Sequence, residues 1–374
     1  MSKLVLLFSC DPGGSNTIIP LINPLKQKGY KVRLFGRDTA IERYKFFNLK
    51  GLDISDFFTE TNLKNVELFL KKEKPDFVIT GTSAEDLTEK FLWKAAEKLK
   101  IPSFAILDHW SNYGIRFSPY RVSQLGQYNH NKSHPYLPNK ILVMDDYAKN
   151  KMIREGFDQS RLIVTGQPYF ELLDQLKNKP SKIKNIRKNL NISYSDFVIV
   201  YASEPTFKSY SGEYFGYSGK EILMDLHSSL KKITYFYNKK ITLIIKLHPR
   251  EKRDKYLNII NNLKKDAVNM DIIVDRDSDP WDLILESDLV CGMTSMFLIE
   301  AVLLNKPIMS IQIGLKKKEP FILVKKGIIK SILDKKTLFN ELKTVIVKHK
   351  LPQYNFNVIK NPIENVIYQM EKYL

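Results

Sequence analysis

The chain has 374 residues, of which 43% are hydrophobic and 27% charged, and its formal net charge is +18. This composition is typical of a globular protein, and the length predicts two domains of comparable size. The sequence contains no run of the roughly 20 apolar residues that a membrane-spanning helix needs, and its two cysteines exclude a disulfide framework. Because the apolar run at residues 4–8 is also too short for a signal peptide, we expect a cytoplasmic protein.

The positive charge can reflect nucleic-acid binding, membrane binding or a compositional bias towards lysine. We expect no nucleic-acid partner, because the sequence has neither a known motif nor basic residues interleaved with aromatic ones. Lysines at 316–318 and 325–326 flank apolar residues at 321–323, a mixture that suits docking to an anionic membrane surface. Such docking would place the protein on the inner face of the cell membrane.

Short apolar runs alternate with amphipathic segments through the first half of the chain. Helices are predicted at 85–100 and at 147–155, the latter ended by Gly156. A kink or a restart of the helix is predicted within 17–28, with Asn23 as the helix cap and Pro24 at the first helical position. The alternation indicates a parallel sheet, with strands predicted at 4–8, 31–35, 77–80, 103–107, 140–143 and 162–165.

A lysine-rich segment with Pro180 and few apolar residues, 177–188, is typical of a linker. A second alternating series follows it, with strands predicted at 197–202, 241–246, 272–275, 289–291 and 307–310. We therefore predict an N-terminal domain over 1–177, a linker over 178–195, a C-terminal domain over 196–360, and a C-terminal helix over 361–374 that can cross back to the first domain.

The first polar turn, at residues 9–16, follows strand 4–8. Gly13 and Gly14 would let a bound group approach the backbone closely, and Asp11 lies at the strand end where a general base would sit. Asn16 completes the predicted acceptor-binding part of this turn. The spacing is neither that of a dinucleotide fingerprint nor that of a triphosphate-binding loop. The alternative is a tight turn that Asp11 and the glycines merely shape.

A second polar loop follows strand 103–107 and should lie on the same edge of the sheet. Asp108 is a second candidate base, and the rest of the loop suits a sugar, because aromatic faces stack on it and polar groups bond its hydroxyls. Alternatively, the aromatic rings only pack beneath the loop. The predicted acceptor-binding residues of this loop are His109, Trp110, Asn112 and Tyr113.

In the second half, a basic cluster follows strand 241–246. His248 is flanked by Lys246 and Arg250 and held by the fixed φ of Pro249, which favours phosphate binding over a core histidine. After strand 289–291, the hydroxyls of Thr294 and Ser295 precede a helix whose free N–H groups suit an anion. The remaining predicted donor-binding residues are Ser203, Glu204, Asp275, Gly292, Met293 and Glu300, the last of which could reach a ribose.

Two Rossmann-like halves, His-Pro after a C-terminal strand, and a hydroxyl pair with a downstream Glu resemble the GT-B glycosyltransferases. The closer resemblance is to the branch that includes bacterial sialyltransferases and polysialyltransferases, Kdo transferases and CDP-glycerol polyol-phosphate transferases. It implies an α/β GT-B fold, with two doubly wound parallel-sheet domains facing an interdomain cleft. It also implies a cytidine nucleotide donor, phosphate contacts from His248, Thr294 and Ser295, a carboxylate base in the N-terminal domain, and neither a metal nor a cofactor. Asp-Pro-Gly-Gly stands where several sialyltransferase families have an acidic-acidic-Gly motif.

We therefore expect a metal-independent glycosyltransferase that moves a sugar from a nucleotide donor, with a CMP-sugar favoured. The acceptor would be a carbohydrate or a lipid-linked group in the synthesis of surface polysaccharide of the cell envelope. Cationic groups and the helix at Thr294 would stabilise the leaving phosphate. Two alternatives remain open: a nucleotide-sugar epimerase or hydrolase of the same fold, and a CDP-glycerol-type polyol-phosphate transferase. A sugar changed without an acceptor would favour the epimerase.

Overall fold

The structure is a computed structural model that describes residues 2–177, 183–204, 215–248, 251, 253–265 and 269–374. The chain divides into two compact units. Unit 1 comprises Met1–Leu172 and Asn357–Leu374, and unit 2 comprises Leu173–Phe356. Among the described residues, no helix is both long enough and apolar enough to cross a membrane.

Unit 1 contains a parallel sheet, as the alternating pattern predicts. In the described part of the chain this sheet has seven strands in the order β3-β2-β1-β4-β5-β6-β7. Its strands are β1 (Leu4–Ser9), β2 (Lys31–Gly36), β3 (Leu52–Asp53), β4 (Phe77–Thr80), β5 (Ser103–Ile106), β6 (Lys140–Val143) and β7 (Leu162–Val164). The two-residue strand β3 is too short to form an apolar run, so the sequence pattern does not indicate it.

Helices cover both faces of this sheet. Alternate side chains of β1 point to opposite faces, so Val5 and Leu7 join one core cluster while Leu6 and Phe8 join the other. Burial on both faces explains why the strand is apolar throughout. The helices are α1 (Pro12–Ile18), α2 (Ile22–Gln27), α3 (Thr39–Phe46), α4 (Leu63–Glu73), α5 (Thr88–Leu99), α6 (Leu125–His130), α7 (Asp146–Arg154) and α8 (Pro168–Lys177), which spans the boundary between the units.

The interruption predicted within residues 17–28 lies earlier than the prediction placed it. A 3-10 turn at Ile19–Leu21, which contains Pro20, separates α1 from α2. Pro24 lies in the first turn of α2. A backbone N–H has no helical partner in a first turn, so proline costs no hydrogen bond there. The assignment of Asn23 as cap and Pro24 as first helical residue is therefore wrong.

Unit 2 contains a second parallel sheet, which has six strands in its described part, in the order β10-β9-β8-β11-β12-β13. The strands are β8 (Phe197–Ala202), β9 (Ile241–Lys246), β10 (Met270–Asp275), β11 (Leu289–Gly292), β12 (Ile308–Ile311) and β13 (Ser331–Ile332). The helices are α9 (Ile183–Asn189), α10 (Gly219–Tyr237), α11 (Asp254–Lys265), α12 (Pro280–Glu286), α13 (Met296–Leu303), α14 (Ile322–Lys325) and α15 (Lys335–Ile346).

Part of the segment predicted as a linker is helical. Helix α9 belongs to unit 2, where Ile186 joins the core cluster that contains Val198 and Leu283. The Arg187 guanidinium donates a 2.6 Å hydrogen bond to the Glu286 carboxylate and so ties α9 to α12. Residues 178–182 of the predicted linker lie outside the described residues.

The last helix, α16 (Pro362–Glu371), belongs to unit 1 although it follows all of unit 2 in the chain. Its buried face contributes Ile363, Val366, Ile367 and Met370 to the core cluster that contains Val5. At its start, the Asn365 amide donates a 2.9 Å hydrogen bond to the carbonyl of Thr165.

Candidate functional site

The carboxyl ends of the strands in unit 1 meet at a crevice between β1 and β4, where the strand order reverses. Ligands of open α/β sheets bind in crevices of this type. Asp11 follows β1 and begins α1, while Asp108 follows β5 two strands away. The two candidate bases predicted from the sequence therefore lie on one edge of one sheet.

Asp108 is paired with a buried arginine that the sequence analysis did not identify. The Arg116 Nη1 group lies 2.5 Å from Asp108 Oδ1 and also donates to the carbonyl oxygen of Thr82 at 2.6 Å. Both charged side chains are largely buried, with exposed fractions of 9% for Arg116 and 15% for Asp108. A carboxylate in this position acts mainly as the counterion of Arg116.

The glycines of the first turn allow parts of the protein itself to approach one another. A Cβ on Gly13 would lie 2.1 Å from Asp108 Oδ2, and a Cβ on Gly81 would lie 2.5 Å from the Cα of Gly14. Helix α1 therefore packs directly on the loops that follow β4 and β5. The space that the sequence analysis assigned to a bound group beside Gly13 is taken by Asp108.

Glu89, on α5, is a further acid of this crevice that the sequence analysis did not identify. Its side chain is buried, and its carboxylate accepts a hydrogen bond from the backbone N–H of Ser83. Burial raises the pKa of Glu89 well above its ordinary value, and the negative charges of Asp11, Asp86 and Asp108 raise it further. The carboxyl group of Glu89 is therefore neutral where exposed acids are ionised.

Cys10, Asp38 and Asp86 each bring one potential metal ligand within 4.8 Å of the others. Burial, followed by the charge of Asp86, raises the pKa of the Cys10 thiol, which donates a 3.6 Å hydrogen bond to Asp38. The Arg37 guanidinium lies 3.7 Å from the Asp86 carboxylate. The neighbouring guanidinium places a positive charge beside Asp86, and this disfavours a cation at this cluster.

The aromatic residues predicted to bind an acceptor are part of the core. Trp110 stacks on Phe170 at 5.8 Å and donates a 2.7 Å hydrogen bond from its indole N–H to Asp145. Trp110 and Tyr113 are each only 5% exposed, so the structure favours the packing alternative over sugar stacking. Both residues lie in the chain between Asp108 and Arg116, and their burial helps to position that pair.

The remaining predicted acceptor residues are half-buried. Asn16 accepts a 2.7 Å hydrogen bond from the Arg43 guanidinium. His109 Nδ1 lies 2.9 Å from the Ser111 hydroxyl, and Asn112 has a positive φ of 54°. Asparagine tolerates that left-handed conformation better than most residues do, so Asn112 has a local structural role in the loop.

In unit 2 the strand order reverses between β8 and β11, and the side chain of Glu204 lies at this crevice. Its Oε1 atom accepts hydrogen bonds from the backbone N–H groups of Met293 at 3.0 Å, Thr294 at 2.6 Å and Ser295 at 2.9 Å. Its Oε2 atom accepts a 2.7 Å hydrogen bond from the Thr294 hydroxyl. These four donors form an anion-binding site at the start of α13, which we call the anion nest.

The anion nest brings together the backbone N–H groups and the Thr294 hydroxyl at the place where the sequence analysis predicted a phosphate. Ser295 caps α13, since its hydroxyl oxygen accepts a 3.2 Å hydrogen bond from the N–H of Phe297. Burial raises the pKa of Glu204 above its ordinary value, although the hydrogen bonds from Thr294, Met293 and Ser295 oppose this shift. The group that these donors hold in this structure is a side chain of the protein.

Lys246 has a structural role that its sequence context does not reveal. Its ammonium group donates three hydrogen bonds of 2.8 Å, to the Asp275 carboxylate and to the carbonyls of Arg276 and Ser278. An ammonium group has three hydrogens, so these acceptors take up its donor capacity. Asp275 is 6% exposed and accepts a further hydrogen bond from the Ser278 hydroxyl. Lys246 and Asp275, both predicted to bind the nucleotide donor, therefore stabilise the loop after β10.

His248 follows β9 directly, and its position is fixed by the backbone. Its N–H donates a 2.9 Å hydrogen bond to the Ser203 hydroxyl oxygen. The Ser203 hydroxyl in turn donates to Glu251, which also accepts a 2.6 Å hydrogen bond from Tyr256. The loops after β8 and β9 are therefore held together. Pro249 and Arg250 lie outside the described residues.

Two other predicted donor residues are enclosed. Glu300 is 8% exposed, and Gly292 ends β11, where an added Cβ would lie 3.4 Å from the carbonyl oxygen of Ala202. Gly292 therefore allows β8 and β11 to lie close together at the crevice.

The patch proposed for membrane docking is basic but not apolar. Lysines 316–318 are exposed, whereas Phe321, Ile322 and Leu323 are at most 3% exposed and belong to the core. The part of that interpretation that used apolar side chains is therefore wrong, and the prediction now depends on the exposed lysines alone.

Residues 124–319 match the model of the CDP-glycerol:poly(glycerophosphate) glycerophosphotransferase family. The chain belongs to this family. The matched segment includes the anion nest, Glu204 and His248, together with the C-terminal part of unit 1. Membership confirms one of the families named by the resemblance.

A sequence relative is an enzyme with a different name. The chain is 26% identical over 207 residues to the UDP-N-acetylglucosamine 2-epimerase of Methanocaldococcus jannaschii. The alignment covers 54% of this chain and spans only half the length of that epimerase.

Solved structures show the fold over almost the whole chain. The UDP-GlcNAc 2-epimerase from Neisseria meningitidis, bound to UDP-GlcNAc, matches 99% of this chain and 100% of its own, with a TM-score of 0.67 and 17% identity. The epimerase from Methanocaldococcus jannaschii matches 100% of both chains, with a TM-score of 0.67 and 18% identity. A glycosyltransferase from Rickettsia africae matches with a TM-score of 0.61 and 13% identity, over 100% of this chain and 93% of its own. The fold is thus GT-B-like, as predicted.

Proposed function

We propose that this protein transfers glycerol phosphate, or a similar polyol phosphate, from a CDP-activated donor to a hydroxyl group of an acceptor. Family membership favours this alternative over the CMP-sugar transferase that the sequence analysis placed first. The observation that carries the proposal is the anion nest, which lies in the matched segment and converges four hydrogen-bond donors on one negative group.

The chemical step needs a base and a stabilised leaving group. The acceptor hydroxyl oxygen forms a bond to the phosphorus that carries the polyol, and the bond from that phosphorus to the bridging oxygen breaks. The electron pair of the broken bond leaves with CMP, and the acceptor proton goes to a carboxylate. We assign the base to Asp11 ahead of Asp108, because Asp108 is the counterion of Arg116.

Leaving-group stabilisation belongs to unit 2 in this proposal. Backbone N–H groups that are already oriented need no rearrangement when charge develops on a phosphate oxygen. The nest supplies three such groups and the Thr294 hydroxyl, and His248 supplies an imidazole just after β9, the strand next to β8. We propose further that catalysis needs no metal and that the acceptor is part of a cell-envelope polymer or is lipid-linked.

The assay that tests this function supplies CDP-glycerol with and without a glycerol-phosphate polymer and measures released CMP. We expect CMP release that depends on the polymer, lengthening of the polymer by mass spectrometry, and no change when EDTA is added. Polymer-dependent release that stops with EDTA and returns with Mg²⁺ would overturn the metal-independent part alone. Absence of CMP release under all conditions would contradict the transferase.

The second candidate is a nucleotide-sugar 2-epimerase, which the alignment with the Methanocaldococcus jannaschii enzyme favours. Its assay uses UDP-GlcNAc alone and follows the proton spectrum of the sugar. Formation of the 2-epimer without an acceptor, together with no CMP release from CDP-glycerol, would replace the transferase by the epimerase.

A further inference from the structure

The anion nest is occupied by the carboxylate of Glu204, which belongs to the same chain. Glu204 lies two residues beyond the end of β8, directly in the crevice where the strand order of unit 2 reverses. Its carboxylate accepts the hydrogen bonds from the backbone N–H groups of Met293, Thr294 and Ser295. A phosphate bound at the same place would need these donors. Two anions cannot share these donors, since like charges in a partly desolvated site repel each other.

The backbone beside Glu204 is anchored independently of this carboxylate. The N–H of Ser203 donates a 2.9 Å hydrogen bond to the carbonyl of Lys246, and the Ser203 hydroxyl contacts Glu251. Rotation about the side-chain torsions of Glu204 can therefore remove the carboxylate from the nest while Ser203 stays in place. The nest itself also has support of its own, because the Ser310 hydroxyl donates a 2.6 Å hydrogen bond to the carbonyl of Met293.

We propose that Glu204 is an internal competitor for the donor's diphosphate and that it sets the affinity of the nucleotide site. The diphosphate binds when the Glu204 side chain leaves the nest, and the carboxylate returns when the product departs. This inference rests on the proposed function, in that the incoming anion is a nucleoside diphosphate. Apparent affinity is reduced by the fraction of molecules in which the nest is open.

The test measures the affinity of CDP by calorimetry for the wild type, Glu204→Gln and Glu204→Ala. Both substitutions remove the competing charge. If the nest is open in about a tenth of the wild-type molecules or fewer, CDP should bind to the variants at least about tenfold more tightly than to the wild type. The matched control is Glu319→Gln. Glu319 also accepts from a backbone N–H, that of Phe321, and from a hydroxyl, that of Ser331, but it lies outside the nest. Its replacement should leave CDP affinity unchanged.

The outcomes separate this inference from the function on which it rests. Equal CDP affinity in the wild type and in both Glu204 variants overturns the competition and leaves the transferase standing. Weaker binding in both variants also overturns it, because Glu204 would then help to hold the ligand. Binding of CDP to the variants but not to the wild type supports the inference most strongly. Absence of CDP binding in all three proteins contradicts both proposals.

If neither variant folds, a crystal structure of the wild type with CDP decides. A phosphate oxygen should accept the hydrogen bonds of Met293, Thr294 and Ser295, and the Glu204 carboxylate should lie outside the nest. A Glu204 carboxylate that keeps these hydrogen bonds while CDP is bound would overturn the competition.

Discussion

The crevice of unit 1 lies between β1 and β4, and that of unit 2 lies between β8 and β11, each where the strand order of a parallel sheet reverses. In unit 1 the groups at the crevice are mainly carboxylates, with Arg116 as the buried counterion of Asp108. In unit 2 backbone N–H groups surround a single carboxylate, that of Glu204. The same topology thus presents proton acceptors in one unit and hydrogen-bond donors in the other.

This contrast indicates a division of chemical roles. Burial, together with closely spaced carboxylates, raises the pKa of Glu89, and a raised carboxyl pKa favours proton transfer. Backbone N–H groups keep their polarity at every pH and favour the binding of phosphate. If the two crevices differ in this way, substitutions in unit 1 should change turnover and stability, whereas substitutions in unit 2 should change the binding of anions.

The largest effect is expected at Asp11. Because a positioned base typically contributes about 10² to 10⁴ in rate, Asp11→Asn should lower turnover of CDP-glycerol by that factor. The affinity for CMP should not change, since the nucleotide is assigned to unit 2. Steady-state kinetics and calorimetry measure the two quantities separately. Near-normal turnover of Asp11→Asn, with loss of turnover in a folded Asp108→Asn, would move the base to Asp108.

The pair between Arg116 and Asp108 should dominate the stability of the unit 1 crevice. Arg116→Met leaves a largely buried carboxylate without its counterion, so we expect a loss of about 3–5 kcal/mol in the free energy of unfolding. Lys94→Met is the control, because the side chains of Lys94 and its partner Glu97 are 38% and 57% exposed. Exposed pairs contribute about 1 kcal/mol or less. Urea unfolding that gives equal losses for the two variants would show that Arg116 is not specially needed.

A pH dependence should follow from Glu89, whose pKa is raised by burial above its ordinary value of 4.5. Above that value the unfolded chain releases this proton while the folded protein retains it. The free energy of unfolding therefore falls as pH rises, by at most about 1.4 kcal/mol per pH unit, until the raised pKa is reached. Glutamine does not titrate, so the melting temperature of Glu89→Gln relative to wild type should increase from pH 4.5 to pH 8. Glu97→Gln, with an exposed carboxylate on α5, should show no such trend, and equal trends would contradict the assignment.

The smallest effect is expected at lysines 316–318, which are exposed in unit 2. If they attract an anionic membrane surface, their joint replacement by Gln should weaken binding to phosphatidylserine vesicles by at most about 1 kcal/mol per lysine. Salt should abolish the difference, and vesicles of phosphatidylcholine alone serve as the control. If the variant co-sediments with the vesicles as the wild type does, the positive charge of this segment reflects the lysine-rich composition of the chain and not membrane binding.

The sequence predicted most of the fold because each long strand is buried on both faces and therefore forms an apolar run. The alternation of Val5, Leu6, Leu7 and Phe8 between two core clusters is an example. Strands β3 and β13 have two residues each and give no such signal. The position of the break before α2 was missed, because Pro20 and Pro24 are both compatible with a local interruption and only packing decides between them.

The candidate site was less predictable, because hydrogen-bond partners far apart in the chain are not visible in a sequence. Residues at strand ends, such as Asp11 and Thr294, could be placed on an edge of a sheet. Nothing in the sequence shows that Glu204 reaches Thr294, 90 residues away, or that the hydrogens of Lys246 are taken up by the loop after β10. The only feature of the sequence that suggests a role for Arg116 is its position eight residues after Asp108. An arginine at this distance from an aspartate is common, so the position does not identify the pair.

The central claim, that unit 2 holds the nucleotide while unit 1 supplies the base, is tested most directly by titrating CMP into the wild type and three variants. Calorimetry of His248→Ala should show affinity weakened by about 1.5–3 kcal/mol, the value of one charge-assisted hydrogen bond to phosphate. Asp11→Asn, and the control His349→Ala at an exposed position of unit 2, should bind CMP as the wild type does. Equal CMP affinity in the wild type and a folded His248→Ala, or weakened binding in Asp11→Asn alone, would contradict the account.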